Sequence, residues 1–488
     1  MKKLFIFSIL LMLLLVSAFA QDEEKSGWTV SGGAQVYADL MYFTKGSGKL
    51  TITGVDDTVF GKELGGSFNI MSSSLSRAPG IQTDLVIGNA REGDKFSYAL
   101  SLQMIFAAGF ARGEGIFKDG GGDYSFTKFL DNFKIGDWFI TGTAGMFEGY
   151  LGNTGYGGVV PVYGDFNDFI NFKLDGFYVN VLGDRLGTNK MNLWSGGASF
   201  ALGVNFLKDT LRFAIGTDVG EAFTGYDRPY ASANSINMGA IFSIHSLADI
   251  LSLDLFYGIN GKDGNTNISS GASWDNRFGV YAGLDFIDWL GLTVGYSAAV
   301  TVNEKYNEYD TANNKWISYK IKNPLYSAVH VHMNMDIGKF DIIFNNNLSF
   351  AGRKGKDYTE GDNVNMPLVG NIPLIKDASQ SWFGWDAGLA VNFKATDSLN
   401  LCLQLVNQLG TFGRKGNIAS IAYEEKYTAN IFFVGLNAEY KIGPVTFGAG
   451  LQLETASLIS KGTIAGIETK SKKSETSFGI PLFFKVEF

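Results

Sequence analysis

Between Phe432 and Ile442 the residues Phe432, Val434, Leu436, Ala438, Tyr440 and Ile442 fall on one phase of a strict alternation, with Phe433, Gly435, Asn437, Glu439 and Lys441 on the other. Only a strand, with its period of two, sorts side chains this way. Gly443-Pro444 then reverses the chain, and Val445, Phe447, Ala449, Leu451 and Leu453 resume the apolar phase, which predicts a hairpin. The unit recurs. Phe383 to Phe393 leads through Ala395-Thr396-Asp397-Ser398 into Leu399, Leu401, Leu403 and Leu405. Further copies run from 325 to 337 with a turn at Gly338-Lys339, from 280 to 286 with a turn around Trp289, and from 198 to 206 with a turn at Lys208-Asp209. Early strands are predicted from Trp28 to Phe43 and from Phe96 to Phe106. At the end of the chain Phe478, Ile480, Leu482, Phe484, Val486 and Phe488 alternate with Ser477, Gly479, Lys485 and Glu487.

The content of the apolar phase decides what it faces, because Arg or Lys at the middle of a bilayer costs about 2–4 kcal/mol on a lipid-facing strand position. Across the runs 28–42, 96–106, 198–206, 280–286, 292–300, 325–337, 383–393, 399–405, 432–442, 445–453 and 478–488 that phase holds no Asp, Glu, Lys or Arg, and its aliphatic hydroxyl is Ser327. The interleaved phase holds Asp39, Asp285, Asp336, Asp386, Glu439, Lys441, Lys485 and Glu487. A secreted β-sandwich also alternates, but its strands average about 5–6 residues, whereas a membrane strand needs roughly 9–11. Several of these runs are of the longer kind. Connections follow a rhythm too, short turns alternating with the polar stretches Thr301–Asn323, Gly352–Gln380, Gly410–Tyr427 and Ser457–Glu475, read as long loops. Trp28, Trp138 and Trp289 then fall toward the short-turn side, and Trp194, Trp274, Trp316, Trp382 and Trp385 toward the loop side, as interfacial girdles require.

The terminal strand, with Phe484, Val486 and Phe488 as its last apolar residues, resembles that of the outer-membrane β-barrel proteins of Gram-negative bacteria. In that family alternate aromatic and aliphatic residues ending on Phe are recognised by the barrel-assembly machinery. The resemblance covers the terminal strand and names a class, porin-like in this case, rather than a solute. The expected fold is all-β: a transmembrane antiparallel up-and-down β-barrel of about 18 strands, within a range of 16–22, with short periplasmic turns and long extracellular loops. Pro481 removes a ladder donor inside the last strand, so a bulge or weakened pairing is expected at the closing seam.

The other end carries an independent signal. Met1, Lys2 and Lys3 form a basic segment, Leu4 to Val16 an apolar one broken by Ser8, and Ala18-Phe19-Ala20 a small-x-small cleavage site before Gln21. Residues 1–20 read as a cleaved signal peptide and 21–488 as one outer-membrane β-barrel domain, with no Pro/Ser linker or charge run to divide it. The expected destination is the outer membrane of a Gram-negative-type bacterium. Cys402, the one cysteine, excludes an intramolecular disulfide. A net charge of −8 disfavours nucleic acid as a partner. With 62 Gly, 40 Phe and 21 Tyr against eight Pro, the composition suits many strands and tight turns, not a disordered tract.

Catalytic chemistry finds little to stand on. The three histidines are His245, His330 and His332. His330 and His332 share a face with Asn334 and Asp336, a spacing that could present two imidazoles to a metal, but the favoured reading is two polar residues in a wet interior. Omptin-type proteases pair Asp with His, and no Asp-x-His occurs; outer-membrane phospholipases place His two residues before Ser, which His245-Ser246 does not match. The glycine clusters at 120–122 and 152–158 lack the strand-to-helix setting of a phosphate loop. Gly149–Phe166 reads as an external loop, with an inward constriction loop as the alternative. The basic clusters at 353–356, 414–415 and 470–473 read as solvated loop charge, with anionic surface lipid as the sharper alternative.

The expectation is therefore a non-enzyme without cofactor or metal, a water-filled channel for small hydrophilic solutes with a weak cation preference. Its pore-lining candidates are Asp39, Asp285, His330, His332, Asp336, Asp386, Glu439, Lys441, Lys485 and Glu487. Expected partners are outer-membrane lipid, the assembly machinery and the solutes, with a homotrimer carried over from general porins by analogy. The alternative is a surface adhesin or antigen that uses the barrel as a scaffold for ligand-binding loops. No plug domain fits before Trp28, and the hatch and Asn-Pro-Ala motif of fatty-acid channels are not found between Gln21 and Val36.

Overall fold

The computed structural model describes residues 29–49, 67–69, 80–89, 96–107, 133–152, 200–207, 210–218, 237–247, 250–262, 273–287, 289–302, 305–310, 313–320, 325–353, 363–366, 370–373, 379–418 and 421–487. Among these every element is a strand. In chain order they are β1 (Thr29–Lys49), β2 (Ser67–Asn69), β3 (Gly80–Asn89), β4 (Phe96–Ala107), β5 (Phe133–Ala144), β6 (Phe147–Gly152), β7 (Phe200–Phe206) and β8 (Leu211–Asp218). Next come β9 (Asn237–Leu247), β10 (Leu251–Lys262), β11 (Ser273–Ile287), β12 (Leu290–Val302), β13 (Lys305–Asp310), β14 (Lys315–Lys320), β15 (Tyr326–Ile337) and β16 (Phe340–Arg353). The series ends with β17 (Asn363–Met366), β18 (Gly370–Pro373), β19 (Ser379–Lys394), β20 (Leu399–Ile418), β21 (Ile421–Ile442), β22 (Val445–Ile464) and β23 (Ile467–Glu487).

A 19-stranded sheet holds all but β13, β14, β17 and β18. Within it β2 is a side piece that pairs with β1 alone, over Tyr42↔Asn69 to Thr44↔Ser67. Each remaining strand pairs antiparallel with its neighbours in sequence, from β1–β3 through β6–β7, β12–β15 and β16–β19 to β22–β23. β23 then pairs with β1 over Gly33↔Glu487 to Lys49↔Lys472. With β2 set aside from the 19, a closed ring of eighteen strands remains, an up-and-down barrel without a free edge.

Closure separates the two faces physically. Side chains on the concave face of a ring converge and cover one another, while those on the convex face splay apart. The strongly exposed phase is apolar: Leu202 49%, Phe213 43%, Val280 42%, Leu436 55%, Phe447 47% and Leu451 49%. The covered phase holds Ser243, Asp254, Asn345, Asp386, Gln404 and Glu439, each at 5% or below. In water this arrangement is inverted; in a bilayer the exposed apolar band is the buried one.

Short connections carry the turn chemistry that the sequence announces. Gly338 and Gly443 sit at φ 63° and 56°, in the left-handed region that a Cβ disfavours, and Pro444 supplies the fixed φ of the next position. At the opposite end of the barrel Ala465 and Gly466 turn at φ 52° and 80°, the pattern of a tight turn with two left-handed residues.

Two stretches predicted as long loops are strand instead. β20 and β21 stay paired to Ile418↔Ile421, and β22 and β23 to Ile464↔Ile467, so 410–427 and 457–475 are the outer parts of tall hairpins. On the outward phase of β21, Asn430, Thr428 and Lys426 mark where the apolar band ends, not where the backbone ladder ends. The predicted loops 301–323 and 352–380 contain small hairpins of their own, β13–β14 and β17–β18. The expected irregularity at Pro481 is present on both sides. β1 shifts register between Asp39 and Met41, opposite Pro481 and Ile480, and the ladder with β22 lapses between Ala449↔Leu482 and Gln452↔Gly479. Residues 1–28, which include the predicted signal peptide, lie outside the described residues, as do 153–166 of the expected loop after β6.

Candidate functional site

The concave face of β12, β15, β16 and β19 to β23 is the candidate site, and its register sets which side chains meet. One lateral row runs His330, Asn347, Asp386, Gln408 and Ile431, each opposite the next in successive ladders. The row beside it runs His332, Asn345, Gly388, Val406 and Phe433. Side chains in direct opposition on one face of a sheet stand about 4.5–5.5 Å apart at Cβ, so these rows are contact rows.

Amides dominate this wall. Asn437 Nδ2 donates to Gln404 Oε1 at 2.9 Å, and Gln452 Nε2 donates to Asn437 Oδ1 at 3.5 Å, linking β20, β21 and β22. His332 Nδ1 and Asn345 Oδ1 lie 2.5 Å apart. His330 Nε2 is hydrogen-bonded to Ser297 Oγ at 2.7 Å, and the Tyr281 ring stacks on its imidazole with centroids 5.8 Å apart. Among the described residues no three His, Cys, Asp or Glu gather as a metal site requires.

Among the residues whose side chains are described, Arg212 and Arg414 face inward, each matched to a glutamate. Arg212 Nε donates to Glu148 Oε1 at 2.6 Å, while Asn205 Nδ2 donates to Glu148 Oε2 at 3.1 Å. Arg414 Nε donates to Glu425 Oε2 at 2.7 Å, Tyr427 donates its hydroxyl hydrogen to the same oxygen at 2.7 Å, and the guanidinium lies 5.3 Å from the Tyr423 ring centroid. Asp254, Asp341, Asp386, Glu439 and Glu454 are also covered on this face, and the residues opposite them in their ladders are uncharged or acidic.

The pore-lining candidates read from sequence fall into three groups. Asp386, Glu439 and His330 are covered within the inner layer at 1%, 5% and 8% exposure, and His332 is half-buried. Asp336 is exposed, and Lys441, Lys485 and Glu487 gather near the short-turn end, with Lys441 Nζ 3.9 Å from Glu487 and Lys485 also ion-paired to Glu487. For Asp39 and Asp285 only the strand positions, in β1 and β11, are described. Phe484 and Val486 of the terminal signal lie in β23, and Phe488 is outside the described residues.

Sequence reading missed the amide rows because it followed charges and histidines; the inward phase of β16, Asp341 to Ser349, holds Asn345 and Asn347 in plain alternation. The inward phase also has an apolar stretch over β20–β22, where Val406, Ile431, Phe433 and Leu458 face inward at 1% exposure or less. They are packed side by side, Val406 opposite Phe433, Ile431 opposite Ala456 and Ala429 opposite Leu458, so they cover one another.

A closed antiparallel ring with an apolar convex band and a mainly polar concave face is a transmembrane β-barrel of the outer-membrane type. No protein-family model matches this chain, and a search of curated proteins finds no match. Among solved structures the chain is similar to OmpT, an outer-membrane protein of Vibrio cholerae, at 9% identity over 95% of this chain and 99% of that one, with a TM-score of 0.37. It is likewise similar to the outer-membrane channel DcaP of Acinetobacter baumannii, at 10% identity over 95% and 99%, TM-score 0.35. OpdQ of Pseudomonas aeruginosa shows 11% identity over 94% and 98%, TM-score 0.38. The fold assignment rests on the strand register, not on these likenesses.

Proposed function

We propose that the protein is an outer-membrane channel for passive diffusion of small hydrophilic solutes. The observation that carries this reading is the eighteen-strand closure with a mainly polar concave phase. A ring of 16–18 strands is too wide for wall side chains to fill and leaves an aqueous path. Permeation then needs no catalytic step, resident cofactor or bound metal, and the wall sets the preference among solutes. Amides offer donors and acceptors without net charge, while the inward phase read from the sequence carries Asp39, Asp285, Asp336, Asp386, Glu439 and Glu487 against Lys441 and Lys485, which tilts the potential toward cations. The weak cation preference belongs to the same proposal, as do Asp39, Asp285, Asp336, Asp386, Glu439 and the two histidines as groups along the path.

Delivery is part of the reading. Residues 1–20 direct export and are removed, 21–488 assemble as one barrel domain, and Phe484, Val486 and Phe488 engage the assembly machinery. Recordings from the purified protein in a planar bilayer under a potassium chloride gradient test the function. Stepwise conductance with a reversal potential of cation-selective sign is expected. A silent bilayer overturns the channel, and a reversal potential of the opposite sign overturns the preference.

A further inference from the structure

β20 to β23 are 20–22 residues long, about twice what crosses a bilayer, and their outward phase changes character on the way up. On β21 it runs Leu436, Val434, Phe432, then Asn430, Thr428, then Lys426. On β22 it runs Leu451, Leu453, then Thr455, Ser457, Ile459, then Lys461. On β23 it runs Ile480, Phe478, then Thr476, Ser474, then Lys472 and Lys470. The register aligns the three sequences. Val434, Leu453 and Phe478 form one lateral row at the top of the apolar band, and Lys426, Lys461 and Lys470 form another higher up, each lysine directly opposite the next. Lys472 stands one step closer to the membrane, with Lys49 opposite it in the β1 ladder.

Like charges in direct cross-strand opposition destabilise a sheet. Lys426, Lys461, Lys470 and Lys472 are all exposed, and among the described residues none of the four makes an ion pair. The next row up holds two exposed acids, Glu424 and Glu468, on either side of Thr463; Glu424 is 3.5 Å from Lys415, and neither is ion-paired to the four lysines. Four lysines against these two acids leave the patch net positive, and its height says which kind of anion fits. From Phe432 to Lys426 the strand climbs six residues, which at about 3.3 Å per residue and a tilt of about 40° is roughly 15 Å above the apolar edge. A phospholipid headgroup layer is only about 5–7 Å thick on each side. Its phosphates lie below the row. Between the band and the lysines lies a belt of Asn430, Thr428, Thr455, Ser457, Thr476 and Ser474, hydrogen-bonding groups suited to sugar hydroxyls.

We propose that the outward face of β21–β23 binds a phosphorylated glycolipid of the surrounding leaflet. Its acyl chains lie on Val434, Leu453 and Phe478, its sugars on the hydroxyl and amide belt, and its phosphates on Lys426, Lys461, Lys470 and Lys472. The site stands on the barrel wall alone and holds whether or not the lumen conducts.

The test uses the full chain in a non-ionic detergent, with rough lipopolysaccharide as the probe, the same glycolipid after phosphatase treatment, and phosphatidylglycerol at equal charge. Retained lipid after size exclusion is the readout, and heat-modified gel mobility confirms the folded barrel. Tight retention of the phosphorylated glycolipid over both comparators is expected, weakening by about fivefold for each lysine removed in K426Q/K461Q/K470Q/K472Q. Lys461→Gln alone, which relieves both oppositions in the row, serves if the quadruple variant fails to fold. Unchanged retention by the variants overturns the proposal. Equal retention of the dephosphorylated probe or of phosphatidylglycerol overturns it as well.

Discussion

Arg414 and Glu425 face each other across the β20–β21 ladder, with Arg414 Nη2 2.5 Å from Glu425 Oε2 and side chains only 1% and 4% exposed. The pair lies on the concave face beyond the apolar band, roofed by Tyr423 and Tyr427. Removing one member of a buried pair leaves an uncompensated charge, whereas removing both leaves a gap that apolar groups fill. Arg414→Met is expected to lower stability by about 3–5 kcal/mol, and Arg414→Met combined with Glu425→Leu to regain most of it. Urea titration of the folded barrel in lipid vesicles measures both; a double variant as weak as the single one contradicts the account.

Asn346 shows how a polar group survives on the lipid-facing phase. It sits between Phe344 and Leu348, and its Oδ1 accepts the Trp385 Nε1 hydrogen at 2.7 Å across the β16–β19 ladder. Trp385→Phe strands that oxygen in hydrocarbon at a cost of about 1–3 kcal/mol. Asn346→Leu on the Trp385→Phe background is expected to recover stability. The same titration, run as a double-mutant cycle, reads the coupling directly.

The convex band itself yields a sharper contrast. Leu436 is 55% exposed, lies opposite Leu403 and Leu451, and belongs to the middle of the apolar run. Leu436→Arg is expected to destabilise the inserted barrel by about 2–4 kcal/mol. Lys426→Arg, ten residues along the same strand and above the band, is expected to change stability by less than about 0.5 kcal/mol. Equal effects at the two positions contradict the placement of the band.

The seam between β1 and β23 is expected to be locally loosened around Pro481. Pro481 offers no backbone donor, Leu40 is the extra residue of the bulge opposite it, and two pairs are missing toward β22. Hydrogen exchange is expected to be faster at Asp39–Met41 and Gly450–Leu451 than at Val36 or Val434. Pro481→Ala is expected to slow it, and uniform protection across the seam contradicts the reading.

The parts of this architecture that were legible in the sequence are those where one phase is apolar and the other is not. Leu399 to Leu405 against Asn400, Cys402 and Gln404 could be assigned outside and inside at once. At Ile431-Phe432-Phe433-Val434 both phases are apolar locally, and Phe433 reads as inward only because it continues the phase of Asn437, Glu439 and Lys441. Strand ends were harder to read. The outward phase turns polar at Asn430 because the lipid stops there, but hydrogen bonding between β20 and β21 continues to Ile418↔Ile421 regardless of side-chain chemistry. Glu148, Asn205 and Arg212 were out of reach as a cluster, since only the pairing of β6, β7 and β8 brings residues so distant in sequence to one carboxylate.

The pairing of Gly33 with Glu487 joins strands from opposite extremes of the polypeptide. Until β23 has been delivered, any partly assembled intermediate presents two rows of unsatisfied amides and carbonyls, each a template for a second molecule. The loss of conformational freedom on joining such remote segments is compensated only when the last pairing zips. Truncation anywhere before β23 should therefore yield aggregates rather than smaller barrels.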